Sequence, residues 1–406
     1  MNPILICADP GEKNAFRQLS DGLIAERPLH HPGPTAPDLV VFQTGQDLDF
    51  AKTLGDLPDQ LWDAARSGRG KVVFDASAEG ERHDPQTSRS LHEVLGAVGV
   101  SLEQAVYLTQ DRGYAADYAK HCRRSGMPRR MSVVVHDYWI RRVLGAYQEK
   151  GGKVLRRRIA AFRKRRGLRP RRFVSMNFTP RPAKLMFLTR LMHEGLWDQG
   201  YVSFGGFDQM VRRKGRSFDK IRVDFRRLRG FQDLARTLDP HLDELRALGV
   251  IFLGERPASR PYDSILKPSE MVEYEQSWFT VVTETEMGER PSRITEKALK
   301  PLLNLHPLIL FGNPGSLKLI RELGFVTFPE LIDESYDDEL DPRQRFEMAF
   351  AEVSRLCRMS EPELQRLSDA LEDRLVFNAE WGLTRLPEKY ATELDEAFLN
   401  EVLARP

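Results

Sequence analysis

In "SRITEKALKPLL", residues 292 to 303, Arg293, Glu296 and Lys297 crowd the start of one short amphipathic segment. Thr295 is placed to cap a helix there, which puts Glu296 and Lys297 in its first turn. A first turn carries unpaired N–H groups and the positive end of the backbone dipole, so it favours an anion. Lys297 adds a point charge for a diphosphate, Arg293 a planar fork from the preceding loop, and Glu296 an acceptor for both hydroxyls of a ribose. The competing reading is a solvated helix face in which Glu296, Lys297 and Lys300 serve solubility alone. Pro301 predicts that the helix is short or bent.

The elements around this segment follow an α/β pattern. Short apolar runs at 3 to 8, 38 to 45, 71 to 77 and 105 to 110 alternate with helical stretches in the first third of the chain. Continuous Val, Ile, Leu and Phe runs of that kind suit parallel strands buried on both faces. The stretch 90 to 100 predicts an intervening helix capped by Ser88 or Ser90 and stopped at Gly99. A second set of strands is expected in 171 to 178, at "YVSFGG", and at 250 to 254, 277 to 285, 308 to 312 and 325 to 328. Residues 343 to 376 and 388 to 404 are helical in pattern.

At 406 residues the chain suits two domains. The expected division is an α/β domain at 1–150, a basic linker at 151–172, a second α/β domain at 173–345, and C-terminal helices at 346–406. Two such domains facing each other would make a central cleft at the carboxyl ends of their strands, where open α/β sheets bind ligands. With 61 basic and 59 acidic residues there is no global field to dictate a partner, so any electrostatic message is local. The run 153 to 172, "KVLRRRIAAFRKRRGLRPRR", contains no acid. It reads either as a solvated linker helix or as a docking surface for an anionic membrane or polyphosphate.

The order of motifs resembles the donor-binding half of the α1,3-fucosyltransferase family. Its signature runs from an aromatic strand ending in a Glu, through Tyr-x-Thr-Glu-Lys, to an apolar strand and a Gly. The counterparts here are "SWFTVVTETE" with Glu284, "SRITEKALKPLL", and "HPLILFGNPG", with Ile294 before Thr295 and the family's Tyr missing. "FVSMNFTPRPAKL" supplies Asn177 and Arg181 where that family has an Asn-containing loop and an Arg on the diphosphate. The likeness covers residues 171 to 328. It implies two Rossmann-like domains of the GT-B type, acceptor-side at 1–150 and nucleotide-sugar-binding at 173–345, and a glycosyltransferase that moves a sugar from a nucleotide-diphosphate donor to a glycan, lipid-linked or protein acceptor. A non-catalytic nucleotide- or glycan-binding module of the same fold is the alternative.

Inverting transfer needs a base for the acceptor hydroxyl, and the resembled family takes a carboxylate from a strand-end loop of the first domain. Glu79 and Glu81, beyond the strand at 71 to 77, are the candidates, with Asp75, His83 and Asp111 behind them. No cofactor other than the donor is expected. No His, Asp or Glu cluster has metal-ligand spacing, and no Walker A or dinucleotide-type glycine loop occurs. Cys7, Cys122 and Cys357 lack pairing or zinc spacing, and no apolar run is long enough to span a bilayer, which predicts a cytoplasmic protein, at most peripheral to a membrane. No aromatic platform accompanies the basic run, so nucleic acid is not an expected partner.

Overall fold

A computed structural model of the chain describes residues 3–9, 14–31, 33, 35–43, 57–78, 81–127, 130–148, 151–164, 169–208, 216–253, 272–288, 290 and 293–404. The chain divides into two compact units, Met1–Arg142 with Pro387–Pro406, and Val143–Leu386.

The first unit is built on a six-stranded parallel sheet. Its strands are β1 (Ile4–Ala8), β2 (Ile24–Pro28), β3 (Leu39–Gln43), β4 (Lys71–Asp75), β5 (Ala105–Thr109) and β6 (Ser132–Val135), in the order β2-β1-β3-β4-β5-β6. Side chains alternate between faces along a strand, so an unbroken apolar run demands cover on both sides. Val40, Phe42, Val72, Phe74 and Tyr107 join Trp62, Leu91, Leu95 and Tyr118 on one face. Leu39, Val41, Val73, Val106 and Leu108 pack with Phe16 on the other. β2 escapes the sequence pattern because "IAERP" carries two charges and has no buried residue, whereas β6, "SVVV", is an apolar run with one buried residue.

The tail of the chain completes that second face. The helix Asp395–Leu403 adds Phe398, Leu399 and Val402 to it. Asp395 holds the helix in place, accepting from Arg141 Nη1 at 2.5 Å and from the N and Oγ of Ser20 at 2.9 and 2.7 Å. The intervening helix of the first unit spans Pro85–Ala97, and its cap is Asp84, which accepts from Thr87 N at 2.8 Å. Neither Ser88 nor Ser90 caps it: Ser88 is buried one turn in, with Oγ 2.9 Å from His83 Nε2. Gly99 follows the helix with φ of 71°, a left-handed conformation suited to a stop.

The second unit carries a four-stranded parallel sheet, β7 (Phe173–Met176), β8 (Gly200–Ser203), β9 (Phe279–Thr283) and β10 (Leu308–Phe311), in the order β10-β9-β7-β8. Two expected strands are absent among the described residues. At 250 to 253 only Ile251 makes a bridge, antiparallel to Phe204, because Val250 and Phe252 face solvent and the segment has one side to bury. At 325 to 328, Phe325 and Phe328 are buried, but the Val326 backbone pairs with the side chain of Asn378, at 2.9 Å to Oδ1 and 2.8 Å from Nδ2, in place of a strand.

Residues 153 to 164 of the acid-free run lie in the helix Gly151–Lys164, with Leu155, Ile159 and Phe162 buried at one helical stripe and Arg156 and Arg157 exposed. Arg158 donates to Asn304 Oδ1 at 3.0 Å, and Arg163 lies 3.2 Å from Glu372. Arg169, buried at the end of the run, donates to the Ser277 carbonyl at 2.8 Å and stacks 4.2 Å over Trp278. These six residues of the run thus have packing or bonding roles in the second unit. No helix among the described residues is long and apolar enough to cross a membrane.

Candidate functional site

β7 and β9 are sheet neighbours, although β8 lies between them in the chain, so the winding of the second sheet reverses there. Connections leave such a pair in opposite directions and open a crevice at the carboxyl ends of the strands. Asn177 follows β7 and Glu284 follows β9, so both stand at this switch point.

Asn177 is engaged within the sheet. Its Oδ1 accepts from Thr283 Oγ1 at 2.5 Å, its Nδ2 donates to Ser175 Oγ at 3.0 Å, and its backbone N donates to Ser203 Oγ at 2.9 Å. The residue pins β7 to both neighbours. Glu284 is buried and accepts from Thr295, at 3.0 Å from the backbone N and 2.6 Å from Oγ1. Gly312, after β10, permits this close packing, since a Cβ there would lie 3.4 Å from Glu284 Cγ and 3.1 Å from Ser316 Oγ.

Thr295 is the N-cap of the helix Glu296–Leu303, which is two turns long with Pro301 inside it. Its Oγ1 accepts from Lys297 N at 3.4 Å and from Lys297 Nζ at 3.0 Å. Lys297 Nζ lies 3.0 Å from Glu296 Oε1 and 4.0 Å from Glu284 Oε2. Burial pushes the Glu296 carboxyl up, but the Lys297 and Lys300 ammonium groups outweigh it and hold the group below the usual range. Lys300 is buried in turn, which pulls it down to about 8 against the opposing pull of Glu296. Arg293 sits in the preceding segment, 3.7 Å from Glu286.

One further cation belongs to this cluster. Lys184, in the first turn of the helix Pro182–His193, is 4 % exposed. Burial and the neighbouring charge of Lys297 bring its ammonium down to about 7, opposed by Glu296 and Glu284 and assisted by Arg181. Among the described residues it donates no hydrogen bond. Arg181 is exposed immediately before this helix. No signal in "RPAK" marks Lys184 in the sequence, because its burial follows from the packing of its helix.

The structure therefore gathers Glu284, Glu296 and Lys297 in one cluster near the switch point, with Lys184 and Lys300 among them and Arg181 within electrostatic reach of Lys184. Both carboxylates have partners inside the cluster. The deepest ammonium of the arrangement, that of Lys184, has no hydrogen-bond acceptor among the described residues.

Among the first-unit acids, Glu79 lies outside the described residues, and Glu81 is exposed on the loop after β4. Asp75 is a structural anchor: burial raises its carboxyl, and it accepts from Ser77 Oγ at 2.6 Å, Ser77 N at 2.9 Å and Ala15 N at 2.5 Å. His83 bonds Ser88 and meets Tyr114 edge-on with ring centroids 5.2 Å apart. Asp111 Oδ1 accepts from Gly113 N at 2.9 Å, and its Oδ2 is buried with no partner among the described residues. Cys7 and Cys357 are free, with thiols pushed up by burial to about 11 and about 12, which removes them as nucleophiles near neutrality. No group of three metal-ligating side chains occurs among the described residues.

Neither a family model nor a curated protein matches the chain. Among solved structures it is similar to the N-terminal domain of trehalose-6-phosphate phosphatase from Candida albicans, with 12% identity over 91% of this chain and 71% of that one and a TM-score of 0.40. A likeness at that level carries no functional argument. What stands by itself is an α/β chain with two parallel sheets, the second of which bears a cationic, partly buried cluster at its switch point.

Proposed function

We propose that the second unit holds the diphosphate of a nucleotide sugar, and that the protein is an α1,3-fucosyltransferase-like glycosyltransferase with two Rossmann-like domains of the B type. The observation that carries this reading is Lys297, in the first turn of a helix capped by Thr295 and anchored by Glu284 at the crevice between β7 and β9. A capped helix start with a lysine, at the carboxyl edge of a parallel sheet, suits phosphate oxygens. Arg181 and Arg293 occupy the loops that lead into the two helices of the cluster, which also suits a diphosphate.

In the reaction so read, the acceptor hydroxyl loses its proton to a carboxylate as its oxygen bonds the anomeric carbon. The bond from that carbon to the diphosphate oxygen breaks, and the electron pair leaves with the diphosphate. Lys and Arg side chains would stabilise that developing charge. Glu79, or Glu81 two residues after it, is the base in this reading, and the acceptor is a glycan, a lipid-linked sugar or a protein.

A thermal-shift panel of nucleoside diphosphates and nucleotide sugars tests it. One donor at a hundred times its dissociation constant should add about 2.7 kcal/mol of stability. No shift with any member at millimolar concentration would remove the donor site. A shift with no sugar transfer or donor hydrolysis would leave a binding module in place of an enzyme.

A further inference from the structure

The starting point is a lysine that the fold has no internal reason to bury. Lys184 is 4 % exposed and donates no hydrogen bond among the described residues, while Lys297 beside it has Glu296 and Thr295 within 3.0 Å. An ammonium left with little water and no hydrogen-bond acceptor among the described residues is costly, and it also opposes the dipole of the helix in whose first turn it lies. The surrounding groups do not remove the cost. Arg181 stands at the start of its own helix, Glu284 at the end of β9, and Glu296 and Lys297 on the capped helix. Of these, Glu284 is turned to Thr295 and Glu296 to Lys297.

We propose that Lys184 is a third phosphate-binding cation of this site, which grips a diphosphate together with Lys297 and Arg181. The inference rests on the donor-site reading above and assigns to it a residue that the motif resemblance does not include. A bound polyanion supplies the acceptors that Lys184 lacks and favours its charged form. Because the empty site holds that ammonium near 7, binding above neutral pH draws a proton from solvent onto Lys184. The site then gains affinity as pH falls toward 7, and Lys300, already beside Glu296, takes a smaller part in this.

Isothermal titration calorimetry with the full chain tests the assignment, using GDP, UDP, ADP and inorganic pyrophosphate at pH 8 in two buffers of different ionisation enthalpy. The wild type should take up close to one proton per site on binding the nucleotide it prefers. Lys184→Met should bind at least tenfold more weakly. Lys184→Arg, which is charged at every pH used, should retain binding and lose the proton uptake; this difference separates the lysine's proton from those of the ligand. It also keeps the test alive if the Met variant does not fold.

Nucleotide binding that is unchanged in Lys184→Met, or proton uptake that survives in Lys184→Arg, overturns the role of Lys184 and leaves the donor site standing. Pyrophosphate binding that depends on Lys184, with no nucleotide bound, removes the nucleotide reading and supports the anion assignment. Absence of binding by all four probes overturns both.

Discussion

Glu284 and Thr295 are joined by two hydrogen bonds, from the Thr295 backbone N at 3.0 Å and from its Oγ1 at 2.6 Å, both to the buried carboxylate at the end of β9. One pair thus sets the start of the helix that carries Glu296 and Lys297. Thr295→Val removes the cap and leaves the Glu284 carboxylate short of a donor. The expected loss is about 1 to 3 kcal/mol of unfolding free energy in urea titration, together with weaker nucleotide binding. An unchanged midpoint would mean that the carboxylate finds another donor and the pair is incidental.

Lys297→Ala and Arg181→Ala should each lower diphosphate affinity about tenfold or more, since charge-assisted hydrogen bonds contribute about 1.5 to 3 kcal/mol. Glu296→Gln should weaken ribonucleotide binding and affect dideoxyribonucleotides much less. Calorimetry on the three variants checks this, and equal affinities for wild type and both cation variants would remove the phosphate assignment.

The unliganded protein should show the cost of Lys184 directly. Its ammonium titrates near 7 in the folded chain and near its ordinary value, about 10.4, once unfolded, so the folded state binds fewer protons between those limits. Stability attributable to this group therefore rises as pH climbs from about 7 toward 10, and the penalty is complete below 7. Lys184→Met should raise the melting temperature of the empty protein most at pH 6 to 7, with the advantage shrinking by pH 9. A variant that is less stable than wild type at pH 6.5 would show that the ammonium has an acceptor in the empty fold.

In the basic helix, inward and outward residues should behave differently. Ile159→Ala should cost about 2 to 5 kcal/mol as a cavity in a packed stripe, whereas Arg156→Gln with Arg157→Gln should stay within about 0.5 kcal/mol of wild type. If that outer face also docks on an anionic membrane, the double variant should lose salt-sensitive cosedimentation with phosphatidylserine vesicles. Equal vesicle binding by variant and wild type would assign the helix to folding alone.

For the base, Glu81→Gln and Glu79→Gln are to be compared in single-turnover transfer. Loss of one base should lower the rate by about two to four orders of magnitude with donor affinity nearly unchanged. Full activity in both variants would place the base elsewhere than on the β4 loop.

Much of the architecture could be read from the chain alone. Apolar runs at β1, β3, β4, β5, β9 and β10 announce buried parallel strands because both faces of such strands must be apolar. Thr295 announces its helix because capping is local chemistry between residues two or three apart. The same local logic placed Glu296 and Lys297 in one first turn. Other features depend on partners far along the chain. Val326 looks like a strand residue, yet the side chain of Asn378 satisfies its backbone. The tail helix shows an apolar face, but only the exposed flank of the first sheet and the Ser20 and Arg141 bonds to Asp395 decide where that face goes. Glu284 and Thr295 are eleven residues apart and meet because β9 delivers one and a returning loop the other. Lys184 is the clearest case: nothing in "RPAK" says that its ammonium will be buried, because that follows from packing its helix beside the ends of β7 and β9, where a charge's solvation is set by the neighbours the fold brings to it.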